Sequence, residues 1–292
     1  MHGVRVRGRW QWETPTPTCV RPTINRVPVY NEPSTNLAQR LLRFVAKDGN
    51  VYYGDAILPE GVTDLSEAKQ AHIIEGDIFG SHSVTSQVVE IRHLLPPLDS
   101  SHVRTVRCLG LNYALHAHET GMPEPKFPIL FYKPVTSLAA HGDAIPVPPI
   151  AQQGKGLDYE CELVIVIGKR CKEVSEDEAL DYVFGYAVGN DVSHRDWQIK
   201  HGGSQWSLGK GFDGWAPYGP GIVSSDIIKN PQSLRIWTRL NGQTVQVSRW
   251  GDIGREKKEG ALAARLCSIY VHLPTHDADE PRGRYRIARL LT

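Results

Sequence analysis

A chain of 292 residues can form one large domain or two smaller ones and can bury a sizeable core. Its 40% apolar, 22% charged and 8% aromatic content is that of a globular protein and argues against wholesale disorder, a collagen repeat or a coiled coil. A formal charge of +1, from 33 basic and 32 acidic residues, lacks the basic surplus of a nucleic-acid binder. No apolar run reaches the roughly 18 to 20 residues that cross a bilayer, so no membrane role is expected.

Gly 27 and Pro 20 suggest many turns rather than long helices. Cys19, Cys108, Cys161, Cys171 and Cys267 form no CxxC pair, which fits a reduced, cytoplasmic setting without a disulfide framework or zinc site. Residues 1–39 carry Arg5, Arg7, Arg9, Arg21 and Arg26 against two acids, and five prolines oppose a long helix. They read as a disordered extension. The alternative is a mitochondrial transit segment, although serine is scarce.

From Ala38 the text becomes globular. LLRFVAKDGNVYYGDAIL reads as two strands around Lys47-Asp48-Gly49-Asn50. Residues 40–97 form a predicted small N-terminal domain, closed by the linker LPPLDSS. Predicted strands follow in VRTVRCLGLNY, FPILFYKPVTSL and DYECELVIVIGKRC. SEDEALDYVFGYAVGNDVS predicts a short helix from Ser175 and then a strand, with Ser175 and Glu178 spaced as a capping box. LRIWTRLNGQTVQV is a hairpin with Asn241-Gly242 at its tip.

Three constellations carry chemistry. Glu160 and Glu162 are two apart at the start of a strand, so they share a face. Two neighbouring anions raise each other's pKa unless a cation joins them. Asp191, after a second apolar strand, could add a third oxygen. Carboxylates without nearby cysteine favour Mg²⁺, with Mn²⁺ or Ca²⁺ as alternatives. On spacing alone, an acidic edge paired with Lys or Arg reads at least as well. In NYALHAHET, His116 and Glu119 would share a helical face as a general acid/base pair, or form a solvated polar turn. SQWSLGKGFDGWAPYGPG, residues 204–221, reads as a loop that presents Lys210 to a substrate carboxylate or enolate, or as a structural turn. Its glycines match no phosphate-binding motif. Lys133 in FYKP is a similar substrate-binding candidate.

GLNYALHAHE, FYKPVTSL, DYECELVIVIGK, GYAVGNDVSHRDWQ and QWSLGKGFDGWAPYGP occur in one order. Together they resemble the fumarylacetoacetate hydrolase (FAH) superfamily. The likeness runs from Ala38 to Gln246 and is strongest from Arg107 to Gly221. The wording SHRDWQ and QWSLGKGFD resembles the domain-containing protein 2 branch, which includes fungal members. The resemblance implies a mixed α+β, mostly β fold, an FAH-type β-roll after the small N-terminal domain, with residues 98–246 as an incomplete catalytic domain and a homodimeric assembly. It implies a metal triad of Glu160, Glu162 and Asp191, a His116/Glu119 dyad and a substrate-facing Lys210. The expected substrates are small 2-oxo or β-diketo acids such as acylpyruvates, cleaved at a C–C bond through an enolate held on Mg²⁺, and a fungal secondary-metabolite pathway is one setting. The alternatives are an oxaloacetate-type keto–enol tautomerase or decarboxylase, and a truncated non-catalytic paralogue.

The likeness lapses near Val247. Residues 247–292 lack the family's T-G-T-P-x-G-V loop and show no strand pattern beyond SIYVHL. This tail reads as atypical, as from a translated intron or shifted frame. The expected consequence is a sheet with unpaired edges and exposed apolar surface.

Overall fold

The computed structural model describes residues 38–110, 129–153, 156–171, 174–175, 178–249 and 269–272. It is mixed α+β and mostly β, as the sequence predicts.

Strands β1 (Arg40–Ala46), β2 (Val51–Ile57), β3 (Gln70–Gly76) and β4 (His82–Leu94) pair antiparallel in a ring, because β1 bonds to both β2 and β4. The β1–β2 turn falls at the predicted position. Gly49 supplies a φ of 90°, and Asp48 accepts from the Asn50 N–H (2.9 Å). Leu42, Phe44, Ala46, Leu65 and Ala71 fill this unit.

The remaining strands are β5 (Thr105–Gly110), β6 (Ile129–Lys133), β7 (Leu138–Ala139), β8 (Leu157–Asp158), β9 (Cys161–Ile167), β10 (Val183–Asn190), β11 (Ser193–His194), β12 (Ala216–Ser224), β13 (Arg235–Leu240), β14 (Gln243–Arg249) and β15 (Ile269–His272). The large sheet runs β2-β3-β4-β1-β12-β10-β9-β15-β5-β6. The first unit is therefore continuous with it through Arg40↔Val223 and Leu41↔Ile222.

The run Cys161–Ile167 has no polar alternation beyond Glu162 because both faces of β9 are covered. Cys161, Leu163 and Ile165 pack with Tyr186, Leu234 and Ile236. Val164 and Val166 pack on the other side with Val106, Cys108 and Phe131. Full burial of each aliphatic side chain contributes on the order of 2 kcal/mol.

Three expectations need adjustment. Among the described residues, the Ser175 segment shows a 3₁₀ turn, Ala179–Tyr182, rather than an α-helix, although Ser175 Oγ does donate to Glu178 Oε2 (2.7 Å). The glycine-rich stretch read as a loop contains a short helix, α1 (Trp206–Lys210), and most of β12. The tail does not leave β9 and β5 as open edges. β15, residues Ile269–His272, lies between them, parallel to β9 and antiparallel to β5. Its backbone groups thus complete two ladders that would otherwise lack partners. The Asn241-Gly242 hairpin forms as predicted, with φ of 51° and 83° at the two turn residues.

Candidate functional site

The site grows from the junction of β9 and β10. Their antiparallel register sets Asn190 opposite Cys161 and Gly189 opposite Glu162. The end of β10 therefore lies against the start of β9. Asp191 N–H donates to Glu160 O (2.9 Å), and Glu160 N–H donates to Asn190 Oδ1 (3.1 Å). Just beyond, β8 pairs with β11, placing Ser193 opposite Asp158.

α1 brings in Lys210. Trp206 seats the helix: its ring centroid is 5.7 Å from that of Phe131, and it covers Gly110, where a Cβ would lie 2.1 Å from the indole. The helix docks against the π-helical turn Asp196–His201. The missing Cβ of Gly209 permits this, since one would stand 2.4 Å from Gln198 N.

Lys210 is 1% exposed and is saturated by oxygen. Its Nζ donates to Glu160 Oε2 (2.8 Å), Asp191 Oδ2 (2.9 Å) and Ser193 Oγ (2.6 Å), and lies 5.2 Å from the Phe131 ring centre. Burial works against its charge. Asp191 and then Glu160 outweigh that cost, so its pKa is raised. Burial likewise pushes the Asp191 carboxyl up, but Lys133 and Lys210 overcome it and hold Asp191 below the usual carboxylate range.

Lys133 closes the other side of Asp191. Its Nζ is 2.8 Å from Asp191 Oδ1 and donates to Val192 O (3.1 Å), Trp215 O (3.0 Å) and Lys210 O. The side chain is fully buried. This departs from the substrate contact expected of Lys133: four oxygens occupy an ammonium that has three protons. Arg195 bounds the site on the Glu160 side. It donates to Glu160 Oε1 (2.5 Å), to Gln198 Oε1 (3.0 Å) and through Nε and Nη2 to Asp158 Oδ2 (2.9 and 2.6 Å). Burial opposes the Arg195 charge, yet Glu160 and Asp158 raise its pKa.

Of the expected metal triad, Glu160 and Asp191 meet around one ammonium. Glu162 is buried on β9, its side set by alternation with Val164 and Val166. Among the described residues, no three His, Cys, Asp or Glu side chains are gathered closely enough to hold an ion. The donor set nevertheless suits a hard cation, because every acidic donor is a carboxylate oxygen. Asp191 Oδ1 is buried, and among the described residues its partner is the Lys133 ammonium, 2.8 Å away. His116 and Glu119 lie outside the described residues.

Sequence reasoning missed Asp158, Ser193 and Arg195. The alternation Asp158-x-Glu160-x-Glu162 was a usable signal for the first. A cavity of about 60 Å³ adjoins the site, lined by His141, Tyr159, Asn190, Tyr218, Thr238 and Arg239 among others.

A buried carboxylate–ammonium node thus stands at the joined ends of two core strands in a mostly β fold. The chain belongs to the fumarylacetoacetate (FAA) hydrolase family, whose C-terminal domain matches residues 105–256. It is 46% identical over 190 residues to a caffeoylpyruvate hydrolase of Neonothopanus nambi, covering 62% of this chain and 65% of that protein. It is 44% identical over 155 residues to a mitochondrial oxaloacetate tautomerase of Xenopus laevis, covering 53% of this chain and 47% of that protein. The chain thus spans about half to two thirds of the length of these relatives. Among solved structures, a 2-hydroxyhepta-2,4-diene-1,7-dioate isomerase from Mycobacterium marinum superposes with a TM-score of 0.60 at 30% identity, over 80% of this chain and 88% of that one. Among the described residues, no helix is long and apolar enough to cross a membrane.

Proposed function

We propose that the protein hydrolyses a C–C bond of an acylpyruvate or related β-diketo acid, with Mg²⁺ held by Glu160, Glu162 and Asp191. The observation that carries this reading is the meeting of Glu160 and Asp191 at one buried cationic point, flanked by Lys133 and Arg195. The likeness to a caffeoylpyruvate hydrolase supports the substrate class. Mg²⁺, when bound, supplies Lewis acidity toward a 2-oxo acid.

The chain's own residues do the rest. His116, oriented by Glu119, takes a proton from water. The water oxygen bonds to the acyl carbon as the C–C bond breaks. The electron pair passes to the pyruvate fragment and is later protonated. Lys210 sets positive charge toward the oxygen on which negative charge develops. Arg195 and Lys133 keep Glu160 and Asp191 in place during these steps. The substrate is a small 2-oxo acid, and a homodimer is the proposed assembly.

A second reading is oxaloacetate keto–enol tautomerisation. The same groups would move a proton without admitting water, and the 44% identity to an oxaloacetate tautomerase favours it. Parallel assays with an acylpyruvate and with enol-oxaloacetate separate the two. Pyruvate release from the acylpyruvate supports hydrolysis. Enol decay alone supports tautomerisation, and neither activity from folded protein would refute both.

A further inference from the structure

Two lysines face the two oxygens of Asp191, and they are held in different ways. Lys133 is pinned by three main-chain carbonyl oxygens, from Val192, Lys210 and Trp215, which belong to three separate segments of the fold. Its ammonium cannot leave without stranding buried acceptors. Among the described residues, the Lys210 ammonium is held by side chains: Glu160, Asp191 and Ser193. It also sits between Gly209 and Gly211 on a helix of five residues. The serine keeps a partner without it, since Ser193 Oγ donates to Asp191 O (2.9 Å).

The oxygens that Lys210 engages on Glu160 and Asp191 belong to two of the three carboxylates assigned to Mg²⁺ above. We infer that Lys210 is a tethered cation that competes with the divalent ion for Glu160 and Asp191, whereas Lys133 is a permanent counter-charge. This inference rests on the metal reading of the site. Ion loading then does two things at once. It satisfies the carboxylates, and it releases a buried ammonium beside the place where an anionic 2-oxo acid would sit. The ion and the charge that meets the substrate are therefore linked, and ion binding precedes productive substrate binding.

The test is calorimetric titration of the full chain with Mg²⁺ alone, for wild type and Lys210→Met. The inference predicts that Lys210→Met binds Mg²⁺ about tenfold tighter or more, because a competing charge is gone. Equal or weaker binding by a folded Lys210→Met would overturn it while leaving the metal reading intact. Absence of Mg²⁺ binding by both proteins, with acylpyruvate turnover persisting in a chelator, would overturn the metal reading itself and the inference with it.

A second measurement needs no variant. Wild type is labelled with an amine-reactive reagent with and without saturating Mg²⁺, and the modified lysines are mapped by mass spectrometry. Labelling of Lys210 should rise severalfold with Mg²⁺ while Lys133 stays unreactive. Unchanged or reduced Lys210 labelling at saturation would overturn the inference.

Discussion

Asp191 and Lys133 form an ion pair sealed from solvent, with 2.8 Å between Oδ1 and Nζ and side chains only 3% and 0% exposed. Such a pair offsets the cost of desolvating two charges only because further groups complete it, and removing one member leaves the other uncompensated. Lys133→Met strands the Val192 and Lys210 carbonyl oxygens and weakens the hold on Asp191, whereas Trp215 O keeps the Val192 N–H (3.2 Å). We expect a loss of about 3–5 kcal/mol, read as a lowered midpoint in urea denaturation. A loss below about 1 kcal/mol would show that water replaces the ammonium freely.

Gly209 should tolerate no side chain. A Cβ there would meet Gln198 N at 2.4 Å, and that atom is main chain, so the helix must move. Gly209→Ala should cost about 1–3 kcal/mol by overpacking. Because Lys210 is the next residue, the variant should also show altered Mg²⁺ affinity by calorimetry. A Gly209→Ala protein matching wild type in both readings would place α1 elsewhere.

Much of this was legible in the sequence, for local reasons. The Asn241-Gly242 pair dictates its own turn, and the apolar run Leu163 to Ile167 of β9 implies cover on both faces. The Glu160-x-Glu162 spacing pointed to the candidate site, where Glu160 meets Lys210 beside Asp191. The roles of Lys133 and Arg195 were not legible. Both depend on partners brought near by long-range pairing: Lys133 meets carbonyls 59 to 82 positions away, and Arg195 meets carboxylates 35 and 37 positions away. The helix α1 was hidden by its flanking glycines, which signal a loop locally but serve close packing here. The seat of Ile269–His272 between β9 and β5 was hidden because a four-residue strand takes its place only from its neighbours.

That seat gives a further prediction. Val271 pairs with Val106 on one side and Val166 on the other. Proline at this position removes a ladder donor inside a sheet, a site that rejects it. Val271→Pro should speed amide hydrogen exchange in both β5 and β9, with β1 to β4 less affected. Unchanged exchange in β5 and β9 would mean that β15 does not stabilise the sheet.

Acid stability should depend on Asp99. It accepts from Ser101 N–H (3.0 Å) and Ser101 Oγ (2.7 Å) and pairs with Arg43 (2.5 Å). The Ser101 backbone N–H first, then its hydroxyl and the Arg43 charge, hold its carboxyl below the usual range. A depressed carboxyl pKa adds stability that is complete above the unfolded value, near about 3.9, and is lost as pH falls through the folded value. Asp99→Asn should therefore flatten the acid limb of a melting-temperature profile below about pH 4 and leave the neutral shape unchanged. An acid limb as steep as that of wild type would assign the effect to other carboxylates.

The most direct test of the account is pyruvate release from an acylpyruvate by wild type and Asp191→Asn, each with Mg²⁺ and with a chelator. The account predicts Mg²⁺-dependent release by wild type and a loss of at least about a hundredfold in a folded Asp191→Asn, the scale seen when a charge-stabilising group is removed from a buried site. Release that ignores the chelator, or a folded Asp191→Asn as active as wild type, would contradict it.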